Sequence, residues 1–168
     1  MSMVLREELS EGIVAITLNR PESLNALSPA LFSELNQIVT ELSKQTDSVG
    51  CVILRGAGRC FSAGNDLKAV RSGVKAKEKF FQAKTIDLIE KLPQPTIASV
   101  HGHCLTGALE LALACDLMIT SESANLADTH GKWGMVPGWG MSVRLPRRVG
   151  LLKAKEMMFT GMSINGLQ

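Results

Sequence analysis

The sequence contains no tyrosine, and only five phenylalanines and two tryptophans among its 168 residues. The missing phenol excludes tyrosine as an acid, base or nucleophile. The shortage of rings argues against a surface that grips single-stranded nucleic acid by stacking its bases. An excess of charge of one sign is also missing: Lys and Arg number 18, Asp and Glu 16, and the net charge is +2. No broad field for a polyanion follows from that balance, although a local basic patch for phosphate stays open. No apolar run approaches the ~18 residues of a membrane span. The opening MSMVLREELSEG carries charges where a signal peptide needs an apolar stretch. The four cysteines, Cys51, Cys60, Cys104 and Cys115, contain no C-x-x-C pair. They are too few for a disulfide scaffold of this length and read as free or buried thiols of a reducing compartment. His101, His103 and His130 are the only histidines, and no convincing zinc ligand set can be assembled around them. The expected location is the cytoplasm, and a mitochondrial matrix protein stripped of its leader fits the same features.

What is present is an ordinary globular composition, 45% hydrophobic and 20% charged, with enough apolar surface to offset chain entropy. The length suits one domain. Gly12 to Leu18 is a β-branched apolar run that reads as a buried strand. Ser28-Pro29 opens a helix as N-cap and first-turn proline, with Leu31, Leu35, Ile38, Val39 and Leu42 on its inner face. Cys51–Leu54, Thr96–Val100 and Leu117–Thr120 read as further strands. A short helix is expected after Asp66, and a long one over Lys75–Leu92 with Phe80, Phe81, Ile86 and Ile89 turned to the core. Ala108–Ala114 reads as a short apolar helix. The stretches His101–Gly107 and Ser121–Gly140 read as glycine-bearing turn and irregular chain, and two helices are expected over 142–149 and 151–160. The alternation predicts an α/β protein of layered sheets and helices.

Two junctions carry chemical interest: Ser62-Ala63-Gly64-Asn65-Asp66 and Leu105-Thr106-Gly107-Ala108. Each is a small-residue loop leading into a helix. Backbone N–H groups at such a start are unpaired and can face an anion or a developing oxyanion. Taken alone, either loop reads more simply as a tight structural turn. Neither loop fits a nucleotide fingerprint. Phe61 stands where Gly56-x-Gly58 would need its third glycine, and Ala108-Leu109 replace the Lys-Ser/Thr of a phosphate loop. Glu110 lies within ALELALA, where every neighbour is apolar. A desolvated carboxyl there would have a raised pKa suited to acid–base work. An arginine-paired or solvent-facing glutamate is the alternative. His130, in ADTHGKWGMVPGWG, is either a surface or hydrogen-bonded core histidine or an imidazole that exchanges protons near neutral pH.

Four separated stretches, ITLNRPESLNALS, CFSAGNDLK, HGHCLTGALELALACDLMI and GMVPGWGMSVRLPRRVG, resemble in order and spacing the enoyl-CoA hydratase/isomerase family, the crotonase superfamily, from about Val4 to the last residue. The resemblance implies a crotonase-like spiral of ββα units with two roughly perpendicular sheets. Residues 1–168 would form that single core, cut short before further C-terminal helices that cover the acyl site. It implies an acyl-CoA substrate, with coenzyme A as part of the substrate and no other cofactor, and a homotrimer or dimer of trimers. It places the two oxyanion N–H donors on Asn65 and Gly107, and Glu110 as an acid–base residue. Ala63, Asp66 and Leu67 would lie along the adenine and ribose, with Leu24 and Ala26 beside the pantetheine arm and Gly138 also at the acyl-CoA site. The family's second glutamate falls on His130. That departure leaves three readings: a hydratase in which His130 shares the acid–base work with Glu110, another crotonase-type reaction such as an isomerase or lyase, or a non-catalytic acyl-CoA binder. Trp133 and Trp139 either shape the acyl pocket or simply pack.

Overall fold

The computed structural model describes residues 2–74 and 76–168. Five strands form the larger sheet in the order β1-β2-β3-β4-β6. β1 (Val4–Ser10) runs antiparallel to β2 (Ile13–Leu18), and β3 (Cys51–Gly56), β4 (Thr96–Val100) and β6 (Leu117–Thr120) continue from β2 in parallel. β2 is buried almost throughout, as a strand between two neighbours should be, whereas β1 buries only Val4. That edge position accounts for β1 having no clear apolar signature. A smaller sheet, β5-β7-β8, joins β5 (His103–Leu105) in parallel to β7 (Asn125–Ala127), with β8 (Ser163–Ile164) antiparallel on the far side.

Helix α1 (Pro29–Leu42) begins as the sequence predicts: the Ser28 hydroxyl accepts from Leu31 N. It buries Leu31, Phe32, Leu35, Val39 and Leu42, while Ile38 is only half-buried. α2 (Leu67–Arg71) is capped by Asp66, whose carboxylate accepts from Lys68 N and Ala69 N. α3 is shorter than expected, Phe81–Glu90. Lys75 lies outside the described residues. Residues 77–80 are bend and turn, and Phe80 precedes α3 with φ +61° and 63% exposed, not in the core. The apolar spacing of α3 is right for Phe81, Ile86 and Ile89, all buried. The short α4 (Gly107–Ala112) is buried at every position, and α5 (Met141–Val149) and α6 (Leu151–Thr160) follow. The two glycine-bearing stretches are not wholly irregular. They contain β5 and β7, and β8 near the end of the chain pairs with β7. The fold is α/β, as the alternation predicts, and Cys60, Cys104 and Cys115 lie in its core. No helix is long and apolar enough to cross a membrane among the described residues.

Candidate active site

Three segments converge past the C-terminal ends of the parallel strands β3, β4 and β6, the end at which open α/β sheets hold ligands. Phe61 and Ser62 run beside β5, with Phe61 N donating to His101 O, Ser62 N to His103 O and Leu105 N to Ser62 O. Asn25, fully buried with φ +53°, braces this loop: its Nδ2 donates to Ala57 O and Cys60 O, and its carbonyl accepts from Ser62 Oγ. Gly64, at φ +94°, passes so close to Leu105 that an added Cβ would lie 2.6 Å from its carbonyl oxygen. Only glycine permits that approach. It sets Asn65 next to the β5–α4 junction.

There Thr106 adopts φ +55°, ψ −114°, a conformation few non-glycine residues take. Its N–H is held by Ala127 O at 2.8 Å and its hydroxyl by that of Thr129 at 2.6 Å. The backbone N–H groups of Asn65 and Gly107 make no hydrogen bond among the described residues. A cleft of about 340 Å³ opens here, lined by Ala63, Asn65, Leu67, Leu105, Thr106, Thr129, Lys132, Trp133 and Met135. Trp133 is 62% exposed at its mouth.

Gly107 and His130 follow Thr106 and Thr129 by one residue, and neither they nor Glu110 line this cleft. Glu110 is 1% exposed and His130 9%. Among the described residues, Glu110 pairs with no arginine. Its Oε1 accepts from Trp139 N at 2.7 Å and Met141 N at 3.1 Å, and its Oε2 stands 3.8 Å from His130 Nε2. Burial pushes the Glu110 carboxyl above its ordinary range. The two N–H donors and His130 pull the other way, and the nearby Asp128 charge adds to the rise. The other face of His130 is held by Asp128, which sequence reasoning passed over. Its Oδ1 accepts from His130 N at 3.1 Å and lies 2.6 Å from Nδ1. The Asp-Thr-His spacing was its only signal.

Trp139 packs its ring directly on Gly107 and edge-on against Phe32, centroids 5.1 Å apart. The loop that carries Trp139 is tied down by Arg144. This guanidinium donates to Trp139 O at 2.7 Å and to Asp87 and Glu90 of α3 at 2.6 Å each.

The remaining sequence candidates scatter. Ala63 and Leu67 share the cleft with Asn65. Asp66 is committed to capping α2 and to Arg20 Nη1 at 2.9 Å. Burial raises its pKa, but those hydrogen bonds and the Arg20 charge outweigh it and hold it below the ordinary range. Leu24 O accepts from Ala63 N and Ala26 O from Arg20, so both serve the loop's backbone. Gly138 borders a separate hollow with Asp87, Glu90 and Arg144. His101 Nε2 bonds Gly58 O and His103 is exposed, so neither joins the site.

A family model described as enoyl-CoA hydratase/isomerase matches residues 8–167. The chain belongs to the enoyl-CoA hydratase/isomerase family. The Arabidopsis thaliana protein named "Probable enoyl-CoA hydratase 1, peroxisomal" is 39% identical over 155 residues, which cover 92% of this chain and 58% of that protein. "Enoyl-CoA isomerase/hydratase fer4" of Mycosarcoma maydis is 39% identical over 168 residues, 94% of this chain and 61% of the relative. A crystal structure of enoyl-CoA hydratase from Bacillus anthracis superposes with a TM-score of 0.89 at 38% identity, covering 98% of this chain and 65% of that one. The fold is therefore that of the crotonase-type enzymes, and this family member spans less than two thirds of the length of these relatives.

Proposed function

We propose that this family member adds water across the double bond of a 2-trans-enoyl-CoA. The observation that carries the reading is the pair Glu110 and His130, 3.8 Å apart and nearly out of solvent, with Glu110 on the same short helix as Gly107, whose N–H, like that of Asn65, makes no hydrogen bond among the described residues. Two fixed donors suit the thioester oxygen as it takes up charge in an enolate, and each such donor is worth several kcal/mol in acyl-transfer enzymes. Hydration needs a base for water and an acid for the α-carbon. An imidazole and a carboxyl of raised pKa supply both. The chemistry calls on no cofactor other than the coenzyme A of the substrate. Ala63, Leu67, Trp133 and Met135 give the cleft an apolar lining for the acyl–pantetheine part of the ligand.

The test is loss of enoyl-thioester absorbance on adding crotonyl-CoA to the purified chain. Turnover that collapses in Glu110→Gln and in His130→Gln supports the reading. No turnover at high protein concentration, with turnover gained in His130→Glu, overturns it. A panel of 3-enoyl and branched acyl-CoAs read by mass spectrometry separates hydration from double-bond shift or C–C cleavage, and calorimetry with coenzyme A separates both from simple binding. We take a homotrimer or dimer of trimers as the assembly, on the strength of the family likeness and of exposed Leu151, Leu152 and Phe159 on α6. Light scattering measures it. Free thiols suit a reducing compartment, and we read the location as cytoplasmic, to be checked by imaging a tagged chain.

A further inference from the structure

We propose that Asp128 is a positioning residue that fixes His130 in the tautomer with its proton on Nδ1, leaving Nε2 as the proton-accepting atom opposite Glu110. The proposal rests on the acid–base reading above and decides which member of the pair is the base.

Asp128 is 1% exposed, and its Oδ1 meets two groups of the same residue, His130 N at 3.1 Å and Nδ1 at 2.6 Å. An ionised carboxylate only accepts, so the ring atom 2.6 Å away carries the hydrogen. A neutral imidazole has one ring proton, so Nε2 keeps its lone pair. The backbone bond to the same oxygen fixes where that oxygen lies, and with it the rotation of the ring. Asp128 is itself placed by a sheet: it follows β7, whose last residue, Ala127, pairs with Leu105 and accepts the Thr106 N–H. The carboxylate that orients the base and the strand that leads to the Gly107 donor are thus parts of one small sheet.

Glu110 completes the assignment. Its Oε1 is occupied by two N–H donors, and only Oε2 is left opposite Nε2. In hydration, Nε2 removes a proton from water as the water oxygen bonds to the β-carbon. The C=C electrons move to the α-carbon and thioester oxygen, and the Glu110 carboxyl delivers its proton to the α-carbon. His130 ends protonated and Glu110 ionised, and return of one proton from Nε2 to Oε2 restores the starting state. The imidazolium of the middle step lies beside the Asp128 carboxylate, where it is electrostatically favoured.

The experiment is ¹⁵N NMR of the ring nitrogens in the whole, ligand-free chain labelled at histidine, with His130 titrated to its neutral form. The expected spectrum shows a protonated Nδ1 and a lone-pair Nε2. Asp128→Asn, whose amide can donate as well as accept, moves the population toward the Nε2–H tautomer. It lowers kcat by about 10²- to 10⁴-fold with KM within about threefold, and adds no further loss in a His130→Gln background. A wild-type spectrum dominated by Nε2–H overturns the proposal without recourse to any variant, and so does an Asp128→Asn protein with unchanged tautomer and kcat. The expected tautomer and its shift in a chain that turns over no enoyl-CoA uphold the positioning role and reject the hydratase reading instead.

Discussion

Oε2 of Glu110 and Nε2 of His130 face each other across 3.8 Å, while the other oxygen of Glu110 is clamped by the N–H groups of Trp139 and Met141. The gap is too long for a hydrogen bond, so neither atom satisfies the other. Each is anchored from behind instead, Glu110 by the loop before α5 and His130 by Asp128. The pair is thereby held apart, as two groups must be if they are to act on a third molecule.

Glu110→Gln separates what this costs from what it does. Burial raises the Glu110 pKa in the folded chain above its ordinary value of 4.5. The raised pKa favours folding fully at pH below the unfolded value, and that contribution is lost as pH rises through the folded value. The ionised carboxylate is therefore a burden on the native state at neutral pH, which glutamine, still able to accept from Trp139 N and Met141 N, does not carry. The thermal midpoint of Glu110→Gln should exceed wild type, with a difference that is small near pH 4 and grows toward neutrality, while kcat on crotonyl-CoA falls by about 10²- to 10⁴-fold. A midpoint difference independent of pH would show that Glu110 is not desolvated.

Arg144→Met should loosen the same loop from the opposite side. The guanidinium is nearly buried, with 7% of its side chain exposed, but its partners Asp87 and Glu90 are about half-exposed, so screening by solvent discounts the ion pairs. The loss of the bond to Trp139 O and of the bridge to α3 should cost about 1–3 kcal/mol in urea unfolding. Asp87→Asn combined with Arg144→Met should cost less than the sum of the two alone. The Trp139 emission should shift as its carbonyl anchor goes.

Phe80→Gly is expected to stabilise the protein. At φ +61° a side chain is strained, and this residue is 63% exposed, with Lys79 Nζ over its ring at 4.9 Å. Relief of the left-handed conformation outweighs the entropy glycine adds to the unfolded chain, for a gain of about 0.5–1 kcal/mol in chemical denaturation. A loss would mean that the ring has an apolar partner in solution.

The same residue shows where local sequence patterns stop short of the fold. α1 was legible because its signals are local: a serine cap, a first-turn proline and an apolar face at helical spacing. β4 and β6 were legible to the residue because they are short apolar runs between breakers. β1 carries Arg6, Glu7 and Glu8 on an edge with only Val4 buried, so no apolar pattern marks it. β5, β7 and β8 exist through pairing with one another across long sequence separations, and nothing within three residues announces that. Phe80 fits a helical count and yet stands one position outside the helix. At the site, Glu110 was legible as a charge in an apolar run, and Asn65 and Gly107 as loop positions before helices. Asp128 and Arg144 were not, because what they do depends on contacts made only in the folded chain.

The packing of Trp139 on Gly107 gives the most demanding test of the site's construction. A methyl group added at Gly107 would collide with the indole, its Cε3 atom lying 2.9 Å from the new carbon. Trp139 cannot retreat freely, because Phe32 stands edge-on behind it at 5.1 Å and its own N–H holds Glu110. Gly107→Ala should therefore destabilise the chain by about 1–3 kcal/mol and displace both the Gly107 N–H and the Glu110 carboxyl in one step; on the proposed hydratase reading, kcat falls by more than the stability change implies. Trp139→Leu in the Gly107→Ala background makes room for the methyl. Urea titration should show most of the lost stability returning, the sign of a steric cause. If the double variant is no more stable than Gly107→Ala alone, the collision with Trp139 is not what makes glycine necessary there.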